Sequence, residues 1–130
     1  MINLEEAERV LQAAKAKAIQ LGVPMSIAVV DPRGDPVGAL RMDIAKFLTF
    51  DVARGKAFAA AFWGIPSGDM TAVADNPVIR SVVMMEGGRI IPGQGAVPLL
   101  RGAYVIGAVG ASGGTGQQDE EVAKAGANAL

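Results

Sequence analysis

Arg41-Met-Asp43 closes one apolar run and Lys56 sits inside an alanine-rich one; these are the charged groups of the chain best placed to do chemistry. Polar side chains at a strand end can orient a ligand on the rim of a sheet. A lysine beside an apolar stripe either snorkels to water or presents its ammonium to an anion. Two such cations suit a carboxylate ligand, with Asp43 orienting Arg41. Spacing alone favours the plainer reading of Arg41 and Asp43 as a solvated pair worth under about 1 kcal/mol. Gly93-Gln-Gly95, followed by Ala-Val-Pro98, offers backbone N–H groups that a carboxylate could use, or is a plain loop. Met42, Met84 and Met85 supply thioethers, which fill cores far more often than they ligate iron.

The chain has no histidine and no cysteine. That removes imidazole bases, serine–histidine pairs, cysteine nucleophiles, disulfides and thiolate or histidine metal ligands. No metal site is expected. In an enzyme of this composition, acid–base work falls to Asp43, Glu86 or a lysine. A net charge of −1 removes the electrostatic case for nucleic acid. No charged n-region leading into an apolar h-region opens the chain, so no signal peptide is expected, and a cysteine-free chain suits the cytoplasm. Apolar stretches stop well short of the ~20 residues that a membrane span needs. Hydrophobic residues make up 51% of the chain and charged ones 19%, too little charge for the large surface fraction of a small monomer. A homo-oligomer, dimeric or larger, is therefore expected.

At 130 residues the chain forms one domain, residues 1–130. Asn3 with Glu6 reads as a capped helix start, and an apolar stripe from Leu4 to Leu21 carries the helix to Gly22 and Pro24. Met25–Asp31 and Val37–Met42 read as a hairpin about the turn Pro32–Pro36. Phe47–Trp63 is a long Ala-rich helix with Thr49 as a plausible cap. Two short helices follow, Ser67–Ala74 and Pro77–Met85, the second capped by Asn76 with Pro77 in its first position. Arg89–Pro92 and Ala96–Leu100 read as short strands, and Ala103–Ala111 as a strand buried on both faces. Gly113–Gly116 is a reversal. The last helix runs from about Gln117, its acids Asp119, Glu120 and Glu121 favoured by the macrodipole. The glycines of this segment match neither GxGxxG nor a Walker pattern.

The segments together resemble the GlcG/HbpS-like family, which also supplies the C-terminal domain of PduO-type corrinoid adenosyltransferases. Ile27-Ala-Val-Val-Asp31 with Gly34, Arg41-Met-Asp43, Lys56-Ala57 with Phe62, and Asp75-Asn-Pro77 carry the resemblance. Gly93-Gln-Gly-Ala-Val-Pro98 and Gly107-Ala-Val-Gly-Ala-Ser-Gly-Gly114 with Gln118-Asp-Glu120 complete it. It implies an α+β domain in three α/β/α layers on a five-stranded antiparallel sheet, assembled as dimers or larger. It also implies a small-molecule-binding domain, accessory to a catabolic or haem-related pathway, because some members bind haem and others accompany glycolate, diol or aromatic catabolism.

On this reading the ligand sits between the sheet rim and the long helix. Arg41 and Lys56 are its cation partners, Asp43 orients Arg41, and Gly93, Gly95 and Ser112 line the wall. Haem, through its propionates, is the named candidate. The alternative is a small enzyme on an oxo- or hydroxy-acid, with Asp43 as the catalytic candidate. Two departures from the family pattern matter. A haem-binding branch uses a histidine on or near the first helix, which here offers only Lys, Arg, Glu and Gln; Met or Tyr104 would have to serve as axial ligand. Ile44 stands where the family's Arg-Met-Asp-Gly-Ala carries glycine. All of these roles require Arg41 and Lys56 to stand close together in one rim cleft.

Overall fold

Helix α1 (Leu4–Leu21) begins where Asn3 accepts the Glu6 N–H at 2.8 Å and the Glu6 carboxylate accepts the Asn3 N–H at 3.0 Å. That reciprocal box satisfies two helix-end donors. Gly22 closes the helix in the left-handed region, at φ 72°. The computed structural model describes residues 1–130. Strands β1 (Ser26–Val30) and β2 (Pro36–Arg41) follow as a hairpin, its turn held by Asp31, which accepts the N–H groups of Arg33 and Asp35. Helix α2 (Phe47–Trp63), a 3-10 segment (Ser67–Val73) and helix α3 (Pro77–Met85) come next. Strands β3 (Ala96–Arg101) and β4 (Tyr104–Ser112) and helix α4 (Gly116–Ala127) end the chain.

The sheet has four antiparallel strands in the order β2-β1-β4-β3, not five. Arg89–Pro92, expected as a strand, has no strand partner: the Ile91 N–H donates instead to the Gly55 carbonyl on α2, at 3.0 Å. Pro92 adds a residue without an N–H to donate. The segment caps the outside of α2, where Ile90 packs on Phe58 and Ala59 together with Val82 and Val83 of α3.

The layers are otherwise as expected. Alternating positions of β1, β3 and β4 send Ile27, Val29, Val97, Leu99 and Val109 to one face, under α1 and α4. Val30, Ala96 and Ala108 meet Ala57, Ala60 and Ala61 of α2 on the other. The second layer is thin because both sides are small: a Cβ on Gly110 would lie 2.4 Å from the Ala53 carbonyl oxygen. No helix is long and apolar enough to cross a membrane.

Gly110→Ala should therefore cost stability near the top of the roughly 1–3 kcal/mol that overpacking imposes, read as a lower urea midpoint; an unchanged midpoint would mean that α2 is not seated on β4. A second outcome concerns acid. The Asn3 N–H, reinforced by Arg101 and Arg9, holds the Glu6 carboxyl below its ordinary 4.5. A carboxylate held low stabilises the fold above its unfolded value, and that contribution is lost as pH falls through the folded value. Melting from about pH 6 to about pH 3 should show a shallower acid decline for Glu6→Gln than for the parent; parallel declines would deny Glu6 this role.

Candidate functional site

Lys56 falls in the α2 stripe Ala53, Lys56, Ala57 and Ala60, all buried. Asp119 heads the buried stripe of α4, with Val122, Ala123 and Gly126. The two charges meet beyond the end of β4, Lys56 Nζ lying 2.9 Å from Asp119 Oδ2, with side chains 9% and 3% exposed. Lys56 also donates to the Ala111 carbonyl at 3.3 Å, and Asp119 Oδ1 accepts the Gly114 N–H at 2.9 Å. The lysine reaches its partner over Gly95, where a Cβ would stand 2.7 Å from Nζ. One ion pair thus ties α2, the end of β4, the glycine turn and α4 together.

Around that anchor, the ends of β2 and β4 and the starts of β1 and β3 share one rim. Ser26 is opposite both Arg41 and Ser112. Two strand spacings, about 10 Å of backbone, therefore separate the last two. A cavity of about 230 Å³ opens on this rim, lined by Pro24, Ile44, Ala45, Lys46, Thr49 and Gly113. Thr49 is not the helix cap that its sequence position suggested. It lies in the first turn, donates to the Lys46 carbonyl at 2.6 Å and shares a 2.9 Å hydrogen bond with the buried Ser26 hydroxyl. Gly113 must be glycine: at φ 145° a Cβ would lie 2.4 Å from the Pro24 carbonyl oxygen. Ile44 takes φ 75° and is the one non-glycine residue of the chain in the left-handed region. A side chain there costs about 1–2 kcal/mol.

The residues singled out from sequence separate into three groups. Arg41 and Ser112 reach the rim, but Arg41 is not oriented by Asp43; its guanidinium lies 4.6 Å from the Phe47 ring centre. Asp43 is exposed and makes no ion pair. Lys56 is neither snorkelling nor free for a ligand, and so the expected Arg41–Lys56 cleft is replaced by an internal Lys56–Asp119 pair. Gly95 makes room for that lysine, while the Gly93 N–H donates to the Ile91 carbonyl at 2.9 Å and is not open to a carboxylate. Tyr104, paired with Arg101, is at the opposite end of the sheet.

The residues that sequence reasoning missed are Lys46, a cavity wall without an ion-pair partner, and Asp119, taken for a macrodipole acid. The α4 helix starts one residue earlier than expected, at Gly116, capped by the Thr115–Gln118 box. Glu86, the other acid–base candidate, is tied to Arg89 at 3.0 Å. The cavity lining therefore includes one lysine and no carboxylate, while the Thr49 hydroxyl proton is already committed to the Lys46 carbonyl.

The family model described as Haem degrading protein HbpS-like matches residues 2–128. An uncharacterized 15.0 kDa protein from the dhaT-dhaS intergenic region of Citrobacter freundii is 34% identical over 124 residues, 95% of this chain and 87% of that protein. The crystal structure of Klebsiella pneumoniae protein ORFY superposes with a TM-score of 0.90 at 30% identity, over 98% of this chain and 89% of that one. The crystal structure of a PduOC–haem complex superposes at 0.89 with 25% identity, over 99% and 94%.

Removing one partner of a buried pair strands the other charge, so Lys56→Met or Asp119→Asn should each cost about 3–5 kcal/mol in denaturant unfolding. The double replacement Lys56→Met with Asp119→Leu should recover most of that loss. Single variants as stable as the parent would show that the pair is not closed off from water.

Proposed function

Because the chain belongs to the HbpS-like family, we propose that it is a small-molecule-binding domain, acting as a homo-oligomer beside a catabolic or haem-related pathway, whose ligand carries carboxylates. The observation that carries this reading is the pairing state of the rim. Lys46 lines its cavity and Arg41 ends strand β2 on the same rim, neither with an ion-pair partner in the chain, whereas Lys56 is neutralised by Asp119. Unpaired cations beside a cavity wall that lacks a carboxylate favour an anionic group, and a charge-assisted hydrogen bond is about twice as strong as a neutral one. Ser112 adds a hydroxyl on the same rim.

Haem is the named candidate, since a protein of this fold is solved as a haem complex. The residues present fit one part of that group. Arg41 and Lys46 would suit its propionates, and 230 Å³ would admit a carboxylate arm rather than a macrocycle. No imidazole or thiolate that could ligate its iron exists anywhere in the chain, and Tyr104 is at the opposite end of the sheet from the rim. Haem bound here would be held through its carboxylates by Arg41 and Lys46, and a ligand with carboxylates and no iron would compete for the same cations.

Titrating the chain with haem, followed by the Soret band and by quenching of Trp63, should give saturable binding. Arg41→Ala and Lys46→Ala should each weaken it about tenfold, the worth of one charge-assisted contact, and haem dimethyl ester should bind as weakly as the double variant. No spectral change with haem would end its candidacy; equal binding of haem and its ester would end the carboxylate reading as well.

A further inference from the structure

Nothing inside the fold accounts for Ile44. The Ala45 N–H donates to the Met42 carbonyl at 3.2 Å, which makes Met42–Ala45 a four-residue turn from β2 into α2. Ile44 holds its third position at φ 75°, the slot that glycine or asparagine fills in a type II turn. A β-branched side chain there is an outlier, and such strain persists only where other contacts fix it. The core supplies none, because Ile44 is 91% exposed. What Ile44 does border is the rim cavity of about 230 Å³, which it lines together with Pro24, Ala45 and Lys46. Strained residues of this kind gather at ligand clamps.

We propose that Ile44 sets the ligand class of the rim site, which takes a compact monocarboxylate with an apolar body, such as an acid built on one aromatic ring. The proposal rests on the carboxylate reading above and narrows it. Charge chooses the head group. Lys46 is the one ionic group of the lining and has no ion-pair partner, and no carboxylate stands on the wall to repel an acid. The apolar lining chooses the rest: Pro24, Ile44 and Ala45 offer a polar body no side-chain hydrogen bond, whereas an apolar body against them removes surface from water on both sides. Volume limits its size. A cavity of roughly 150 Å³ holds a benzene ring, so about 230 Å³ has room for one ring with its carboxylate. Ile44 is two residues from Lys46, so an acid held by the ammonium brings its ring against the isoleucine. The side chain that the fold leaves bare is then covered by the ligand, and that contact offsets the strain of the turn.

Backbone-amide NMR of the full chain tests this with three probes: benzoate, acetate, which lacks the apolar body, and benzyl alcohol, which lacks the charge. Benzoate should give saturable shifts at Ala45, Lys46 and Gly113, with a dissociation constant about tenfold or more below that of acetate. Benzyl alcohol should give none. Ile44→Gly, which suits the turn, should raise the melting temperature yet cut the benzoate-to-acetate affinity ratio about tenfold. Ile44→Leu should restore most of that ratio, a result that a merely structural role does not produce. An unchanged ratio in Ile44→Gly, with Lys46→Ala still weakening both acids, overturns the role of Ile44 and leaves the carboxylate reading standing. Acetate bound as tightly as benzoate by the parent, or no saturable rim shift with either acid, overturns the ligand class. Lys46→Ala binding both acids as the parent does overturns the proposal and the reading beneath it. A ratio lost only together with a change in sedimentation assigns Ile44 to a contact between copies, and overturns the proposal as well.

Discussion

Lys56 and Asp119 are opposite charges taken out of water together, and the rim of the sheet depends on their staying so. Desolvating two ions is costly, and their attraction offsets it only when the remaining polar atoms are also satisfied. Here they are: Lys56 donates to the Ala111 carbonyl, and Asp119 accepts the Gly114 N–H. The pair is as much positional as energetic. It fixes the last residue-pairs of β4, the glycine turn and the head of α4 against α2. Gly113 thereby presses on Pro24 and the cavity keeps its floor. The small-residue packing of α2 on β4 serves the same end, because a helix seated that closely brings the base of Lys56 within reach of the sheet end.

This arrangement also divides the cations of the rim by role. Lys56, the one that seemed poised for an anion, is neutral toward the outside. Arg41, stacked on Phe47, and Lys46, on the cavity wall, keep their charge for whatever arrives. The cavity wall, the bare apolar side chains at the start of α2 and the strained Ile44 at the border between them adjoin on one surface.

Much of the fold was legible where a local signal has a local cause. Asn3 with Glu6, Asn76 with Pro77, and Gly22 mark helix ends through bonds made within a few residues, and Phe47–Trp63 was bounded at both ends. Arg89–Pro92 failed because an apolar tetrad looks the same whether its backbone partner is a strand or, as here, Gly55 on a helix. The rim itself was legible from the strand ends at Arg41 and Ser112. The partner of Lys56 was not, since it lies 63 residues away and α4's acids also satisfy the simpler dipole reading. A signal was nonetheless present: each charge interrupts the apolar stripe of its own helix, and two opposite interruptions are best resolved by pairing. Nothing local marked Lys46, whose importance comes from the cavity that three separate segments make around it.

Competitive labelling of amines in the folded chain, read residue by residue with mass spectrometry, tests the division of cations most directly. Lys56 should resist acetylation until the chain unfolds, while Lys46 reacts at the rate of an open surface lysine and becomes protected when a carboxylate ligand is added. If Lys56 is acetylated in the folded chain as fast as Lys46, or is the lysine that the ligand protects, then the ion pair does not close the rim and the site must be drawn around Lys56 instead.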